Sequence, residues 1–342
     1  MTIKMLIFDY KDTEHKFFAE NVFQSYDIKF FRHSLNKETF EQLTQEEKEQ
    51  TSVISIFADS SLTEEIINGF KNLRTIAMRS SNYDNINKKV CHERHIAVLN
   101  VPSYGKTAVA EFTFGLIINL VRQIPQAIES VKENTFQEKS FVGHDLKNMT
   151  IGIIGTGEIG AEVCRIASAF GMKIFAYDIK PKTELSEKYN IEYLSLEEVI
   201  SKSDIVTLHL PYTGINYHMI SKHQFEVMKN NSYFINTSRG ELVDTIYLKE
   251  NLKNGKIKGA ALDFVACQHA GSQCREFAKN LEGSSLQCLT DSDIVKDLSK
   301  MENVIITPEI ASDTKDAINY ILNEMFYALQ DQIIGGNSNR VI

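Results

Sequence analysis

Residues 150–178 read TIGIIGTGEIGAEVCRIASAFGMKIFAYD, and this stretch decides the fold. A short apolar run meets Gly155-Thr-Gly157-Glu-Ile-Gly160, a helical pattern follows, and a second apolar run ends on Asp178. Strand, glycine turn, helix and strand make one βαβ unit, whose strands pair in parallel. GxGxxG alone is a weak sign. Set between a strand and a helix, with an acidic residue closing the next strand, it predicts a dinucleotide site. Gly155 allows the tight turn, Gly157 lets a pyrophosphate approach the backbone, and Gly160 lets helix and strand pack closely. The phosphates then meet the amides of Glu158 and Ile159 at a positive helix terminus. Asp178 accepts hydrogen bonds from the ribose diol and repels a 2′-phosphate, so NAD is expected rather than NADP.

The same alternation extends to both sides. Strands are expected at 4–10, 26–31, 52–58, 75–79 and 96–98, with helical spacing around 15–23, 37–46, 63–71 and 86–94. After the glycine loop, strands are expected at 172–177, 204–208, 233–236, 259–264 and 303–307. A helix apolar nearly all round is expected from Thr107 to about Gln126, and a second long one from about Ser312 to Ile334. Repeated βαβ units mean parallel sheets covered by helices on both faces. The predicted fold is therefore α/β, with two doubly wound parallel-sheet (Rossmann/flavodoxin-like) domains and a cleft between them. Prolines at 102 and 308 suggest joins near both positions. Residues 1–100 plus 310–342 then form a substrate-binding domain, and residues 101–309 an NAD-binding Rossmann domain.

Composition narrows the function. The chain has 342 residues, 43% hydrophobic, and a net charge of −8. That acidic balance argues against nucleic-acid or membrane partners. No charged-then-apolar leader opens the chain, and the expected location is cytoplasmic. Five cysteines, irregularly spaced, do not make a disulfide framework. Cys91 and Cys164 read as small core residues. Cys267, His269, Cys274 and Cys288 contain no CxxC pair, and no metal is expected.

Further motifs carry a resemblance. Arg79-Ser-Ser-Asn-Tyr-Asp84, Asn100-Val-Pro-Ser-Tyr104 with Val109-Ala-Glu111, His209-Leu-Pro211, Asn236-Thr-Ser-Arg239-Gly240 and Ala261-Leu-Asp263 join the glycine loop. Together they resemble the D-isomer-specific 2-hydroxyacid dehydrogenase family, most closely its D-lactate dehydrogenase-like branch. The resemblance implies an NAD-dependent oxidoreductase interconverting a 2-oxo acid and a D-2-hydroxy acid by hydride transfer. It implies that Arg239 binds the substrate's carbonyl and carboxylate, for which a forked guanidinium is suited. It also implies a carboxylate grip from the amides of Ser81 and Asn82, with Tyr104 over the substrate. The alternative for Tyr104 is simple packing at a crossover. The implied NAD contacts are Gly155, Gly157, Glu158, Ile159, Gly160, Asp178, Leu210, Pro211, Asn216, Thr237, Ser238 and Asp263. A homodimer is implied too, with the helix 107–126 packed against a second subunit.

One part of the family pattern is broken. The acid–base histidine of the family's TPH motif is replaced in Thr307-Pro308-Glu309, and the supporting glutamate position is Gln268. A glutamate titrates near about 4.3 where a histidine titrates near about 6.5, so an ordinary Glu309 is ionised at neutral pH. Desolvation in a closed cleft raises a carboxyl, and Gln268 hydrogen-bonds either protonation state. The expected catalytic set is therefore Arg239, Glu309 and Gln268, with His269 as an alternative proton donor. The competing expectation is a catalytically impaired NAD(H)-binding regulator or scaffold on the same fold.

Overall fold

The computed structural model describes residues 2–20, 25–57, 59–81, 83–136, 140–263 and 293–342. The chain divides into two compact units, Met1–Gly105 with Asp313–Ile342, and Lys106–Ser312. Each carries one parallel sheet, and both sheets bear out the α/β expectation.

In the first unit the strands are β1 (Ile3–Ile7), β2 (Tyr26–Phe30), β3 (Thr51–Ile56), β4 (Thr75–Met78) and β5 (Ala97–Leu99). Their order is β2-β1-β3-β4-β5, all parallel. Every residue of β4 and β5 is buried, as expected of strands covered on both faces. One face packs Leu35, Leu62, Ile66 and Phe70 against the sheet. The other is covered by Ile321, Leu322, Met325 and Leu329 of the helix Lys315–Ile333. That helix starts where the Thr314 side chain accepts from the Ala317 amide. The chain's end then returns antiparallel along β5: Val341 N–H donates to Val98 O at 2.8 Å, and Asn100 N–H to Asn339 O at 2.9 Å. An edge strand is thereby capped.

The second unit contains β6 (Thr150–Ile154), β7 (Lys173–Tyr177), β8 (Ile191–Tyr193), β9 (Ile205–Leu208), β10 (Ser232–Asn236), β11 (Ile257–Leu262) and β12 (Val304–Ile306). Their order is β12-β11-β10-β9-β6-β7-β8. The order reverses between β6 and β9, the topological switch point where open α/β sheets bind ligands at their carboxyl ends. β8 escaped the sequence reading because Ile-Glu-Tyr has a charged central residue and offers no apolar run, unlike the equally short β5 and β12.

The long helix expected at 107–126 is broken. It runs Lys106–Val121, and a second helix, Ile124–Lys132, leaves it at 58°. Gln123 is left-handed, with φ 52°, and Pro125 opens the second helix. Proline lacks an amide hydrogen and its ring clashes with the carbonyl four residues back, so the first helix ends there. Ala110, Phe114, Ile117, Leu120 and Val121 of the first helix are buried in its own unit. Phe112 and Ile118 of the same helix are only partly buried, and the exposed apolar side chains Ile128, Val131, Phe136 and Val142 follow it. Two short helices, Lys37–Glu41 and Gln45–Gln50, replace the single one expected at 37–46, because Thr44 caps a second start. Among the described residues no single helix is long and apolar enough to cross a membrane. Cys91 and Cys164 are buried, and burial pushes their thiols up to about 11 and about 12, as inert core cysteines.

Candidate active site

The glycine loop sits at the carboxyl end of β6. Gly155 has φ +95°, and a Cβ there would lie 2.5 Å from the carbonyl oxygen of His209. At Gly160 a Cβ would stand 1.9 Å from the Gly155 carbonyl, so no side chain fits between helix and turn. In front of Gly157 there is open space, with nothing within 4 Å of where a Cβ would be. The helix Glu158–Ala169 begins here, and its first intrahelical bond is Ala161 N–H to Gly157 O. The amides of Glu158, Ile159 and Gly160 precede that bond, at the positive end of the helix. Bare backbone facing open space at a helix N-terminus fits a pyrophosphate.

Asp178 follows β7 directly. One carboxylate oxygen accepts from the Thr156 amide at 2.7 Å and the Thr156 hydroxyl at 3.0 Å, the other from the Lys180 amide at 2.8 Å. Tyr193 donates in turn to the Thr156 hydroxyl at 3.0 Å. Partial burial raises the carboxyl, but these donors outweigh it and hold Asp178 below the ordinary aspartate range. A fixed, ionised carboxylate suits a ribose diol and opposes a 2′-phosphate, so this cradle fits NAD.

The remaining dinucleotide-side residues lie on neighbouring strand ends. His209 follows β9 and is buried. Its Nε2 is 3.0 Å from the Thr207 hydroxyl, and Nδ1 has no hydrogen-bond partner among the described residues. Burial pushes its imidazole down to about 3, so it is neutral at working pH and no proton donor. Leu210 and Pro211 come next. Asn216 staples their loop, accepting from Thr213 N–H and donating to Pro211 O, each at 2.9 Å. After β10, the Thr237 hydroxyl is 3.0 Å from that of Thr113, and Ser238 donates to Leu208 O at 2.7 Å. Asn236 closes the turn by donating to Arg239 O at 2.8 Å. Arg239 is half-buried, and its Nη1 donates to Ser238 O at 2.8 Å.

Asp263, after β11, is completely buried. One of its oxygens accepts from the Thr307 hydroxyl at 2.6 Å and the Ile310 amide at 3.1 Å, the other from the Ala311 amide at 3.0 Å. The resemblance implied an NAD contact here. The carboxylate clamps the 307–311 turn, which carries Glu309. Glu309 is half-buried with φ +57°, a left-handed backbone unusual for a non-glycine residue. The end of β12 is thus tied to the end of β11, two strands from the glycine loop's neighbour β9.

In the first unit, Ser81 is exposed after β4, and the Asn100 side chain donates to its carbonyl at 2.9 Å. Tyr104 is half-buried against the core of Met5, Ile7 and Leu99. Asn82, Gln268 and His269 lie outside the described residues, as do Cys267, Cys274 and Cys288. Sequence reasoning gave no role to Thr156, Tyr193 or Asp9. Asp9 shares a legible signal with Asp178 and Asp263, an aspartate placed directly after an apolar strand.

Comparison with known proteins agrees with this geometry. Residues 114–311 match the family model described as D-isomer specific 2-hydroxyacid dehydrogenase, NAD binding domain. An aromatic 2-oxoacid reductase of Clostridium sporogenes is 37% identical over 282 residues, covering 81% of this chain and 82% of that protein. A 2-hydroxyacid dehydrogenase homolog of Zymomonas mobilis is 31% identical over 97% of this chain and 98% of its own length. The crystal structure of D-lactate dehydrogenase from Aquifex aeolicus, complexed with NAD and lactic acid, superposes with a TM-score of 0.82. It is 29% identical over 98% of each chain.

Proposed function

The chain belongs to the D-isomer specific 2-hydroxyacid dehydrogenase family and is an NAD-dependent oxidoreductase acting on CH–OH groups, and from that premise we propose that it works mainly as a 2-oxo acid reductase. The observation that carries the reading is the continuity of one sheet edge. The glycine loop, Asp178, Arg239 and Glu309 all stand at carboxyl ends of strands in a single parallel sheet. The product is a D-2-hydroxy acid, as in D-lactate dehydrogenases. Phe57 and Tyr104, half-buried in the first unit, and the aromatic 2-oxoacid reductase among the relatives favour an apolar or aromatic substrate side chain.

The amides of Glu158 and Ile159 and the carboxylate of Asp178 would hold NADH, which would supply the hydride for the substrate's C2. Leu210, Pro211, Asn216, Thr237 and Ser238 line the same strand ends. Arg239 binds the 2-oxo acid through its carbonyl and carboxylate and stabilises the oxygen as negative charge grows. The amides of Ser81 and Asn82 grip the carboxylate, and Tyr104 covers the substrate. Glu309, protonated, gives its proton to the forming alkoxide. The substrate-binding domain is residues 1–100 with 310–342, and the NAD domain is 101–309.

A homodimer completes the reading. Exposed Ile128, Val131, Phe136 and Val142 follow the buried helix Lys106–Val121, and Val142 is 78% exposed. Exposed apolar side chains this close together in the sequence favour an interface.

The experiment is NADH oxidation with pyruvate, phenylpyruvate, 2-oxoisocaproate, glyoxylate and oxaloacetate between pH 5 and 8. Turnover rising toward acid supports Glu309 as donor, and an ordinary near-neutral profile points to His269 or water. NADH binding with no turnover on any acid overturns the reductase. The Glu309 substitution then favours the second reading, a regulator that responds to NAD(H).

A further inference from the structure

Arg79 is the largest side chain in the protein with no exposure at all among the described residues. It follows β4 and precedes Ser80 and Ser81. Its amide donates to Ile56 O at 2.8 Å, at the end of β3. Nη1 donates to the Ser55 hydroxyl at 2.9 Å, while Nη2 donates to the carbonyls of Phe8 at 2.7 Å and Asp9 at 3.1 Å. Nε stands 3.4 Å from a carboxylate oxygen of buried Glu14. One guanidinium therefore ties together the carboxyl ends of β1 and β3 and the turn at 12–14.

Asp9 continues the chain of contacts. Its backbone is left-handed, with φ +55°. One of its carboxylate oxygens accepts from the Phe57 amide at 2.9 Å and the Ser60 hydroxyl at 2.7 Å. The Ser60 hydroxyl accepts from the Leu35 amide at 2.8 Å, and Asn85 donates to Ser60 O at 2.7 Å. On the other side, Val101 N–H donates to Ser80 O at 3.0 Å. In the order β2-β1-β3-β4-β5 the reversal falls between β1 and β3, so these loops leave the sheet where an open α/β sheet takes its ligand. A charged guanidinium buried this completely is costly unless its fork of donors is used. Here Nη1 and Nη2 donate to acceptors from two segments, while Nε makes no hydrogen bond among the described residues and faces the Glu14 carboxylate as an ion pair.

We propose that Arg79, acting through Asp9, is a positioning residue for 2-oxo acid binding. It sets the peptide of Ser80 and Ser81 against Phe57 and Ser60, and so aligns the carboxylate grip with the side-chain pocket. Neither residue touches the substrate. The proposal rests on the reading of the Ser81 segment as that grip.

The test measures phenylpyruvate and pyruvate binding to the NAD⁺-saturated protein by calorimetry, where no reduction occurs, alongside turnover with NADH. For Arg79→Lys, which keeps the charge but not the fork, affinity for the 2-oxo acid should fall at least tenfold. Its kcat should stay within threefold, and NADH affinity within twofold. Because Arg79→Lys risks misfolding, Asp9 supplies a second pair. Asp9→Ala removes the acceptor and should weaken binding about tenfold, whereas Asp9→Asn keeps an acceptor oxygen and should restore it to within threefold. A merely structural role would lower the melting temperature of these variants and leave folded-state affinity alone. Wild-type affinity in both Arg79→Lys and Asp9→Ala overturns the proposal. A wild-type protein that binds no 2-oxo acid overturns the reading of the grip, and the proposal with it.

Discussion

The backbone amide of Glu309 donates to the carbonyl oxygen of Asp263 at 3.1 Å, while the Asp263 carboxylate accepts from Thr307, Ile310 and Ala311 around it. A single buried residue directly after β11 thus holds the left-handed turn that presents Glu309. Asp263→Ala should remove the acceptor shared by three donors, and leaving the buried Ala311 amide unsatisfied costs roughly 1–3 kcal/mol. Both melting temperature and kcat should drop. If Asp263 acts through Glu309, adding Asp263→Ala to Glu309→Gln should lower kcat no further, which a double-mutant cycle measures.

Glu309 should set the pH dependence of reduction. Only its protonated form donates, so kcat should fall as pH rises through its pKa in the ternary complex. Glu309→Gln should cut kcat by about 10²–10⁴, the usual worth of a positioned general acid, and leave NADH affinity nearly unchanged. Glu309→His should move the limb toward histidine's range of about 6.5. A Glu309→Gln enzyme with full activity would remove Glu309 from the mechanism.

The acid limb should not come from Asp178 or His209. Asp178 has its pKa depressed by hydrogen bonds, so its ionised form and the ribose contact persist until pH falls below the ordinary aspartate range. Burial pushes the His209 imidazole down to about 3, so it stays neutral across pH 5–8. NADH affinity, followed by fluorescence, should therefore be flat between pH 5 and 8.

Cofactor choice should depend on Asp178. Asp178→Ser removes the charge that repels a 2′-phosphate, along with acceptors for the diol. NADH should bind about tenfold more weakly, the effect of losing roughly 1.4 kcal/mol of hydrogen bonding, and NADPH more tightly than to the parent. Isothermal titration with both dinucleotides reads this directly. An unchanged NADH/NADPH ratio would show that Asp178 does not face the ribose.

Assembly should depend on the segment after the broken helix. Val131→Asp places a charge on an exposed apolar side chain, so the folded monomer should lose little stability. Sedimentation should shift from dimer to monomer. A parent protein that sediments as a monomer would refute the interface.

The sequence by itself determined the βαβ order, the two parallel sheets and the glycine cradle. Each is written in contiguous residues: apolar runs of strand length, glycines at fixed spacing, and an aspartate closing the following strand. It also exposed the replacement of the family's acid–base pair, because a motif names its own missing member. What only the tertiary structure decided is how residues far apart in sequence hold one another. Asp263 reads as one more aspartate at a strand end, until β12 pairs with β11 and brings the 307–311 turn to its carboxylate. Arg79 reads as the first letter of a loop motif, until two strand ends and the turn at 12–14 converge on its guanidinium. Local periodicity records which face of an element is buried. It does not record which neighbour a buried charge will meet, because that partner is chosen by the pairing of strands rather than by spacing along the chain.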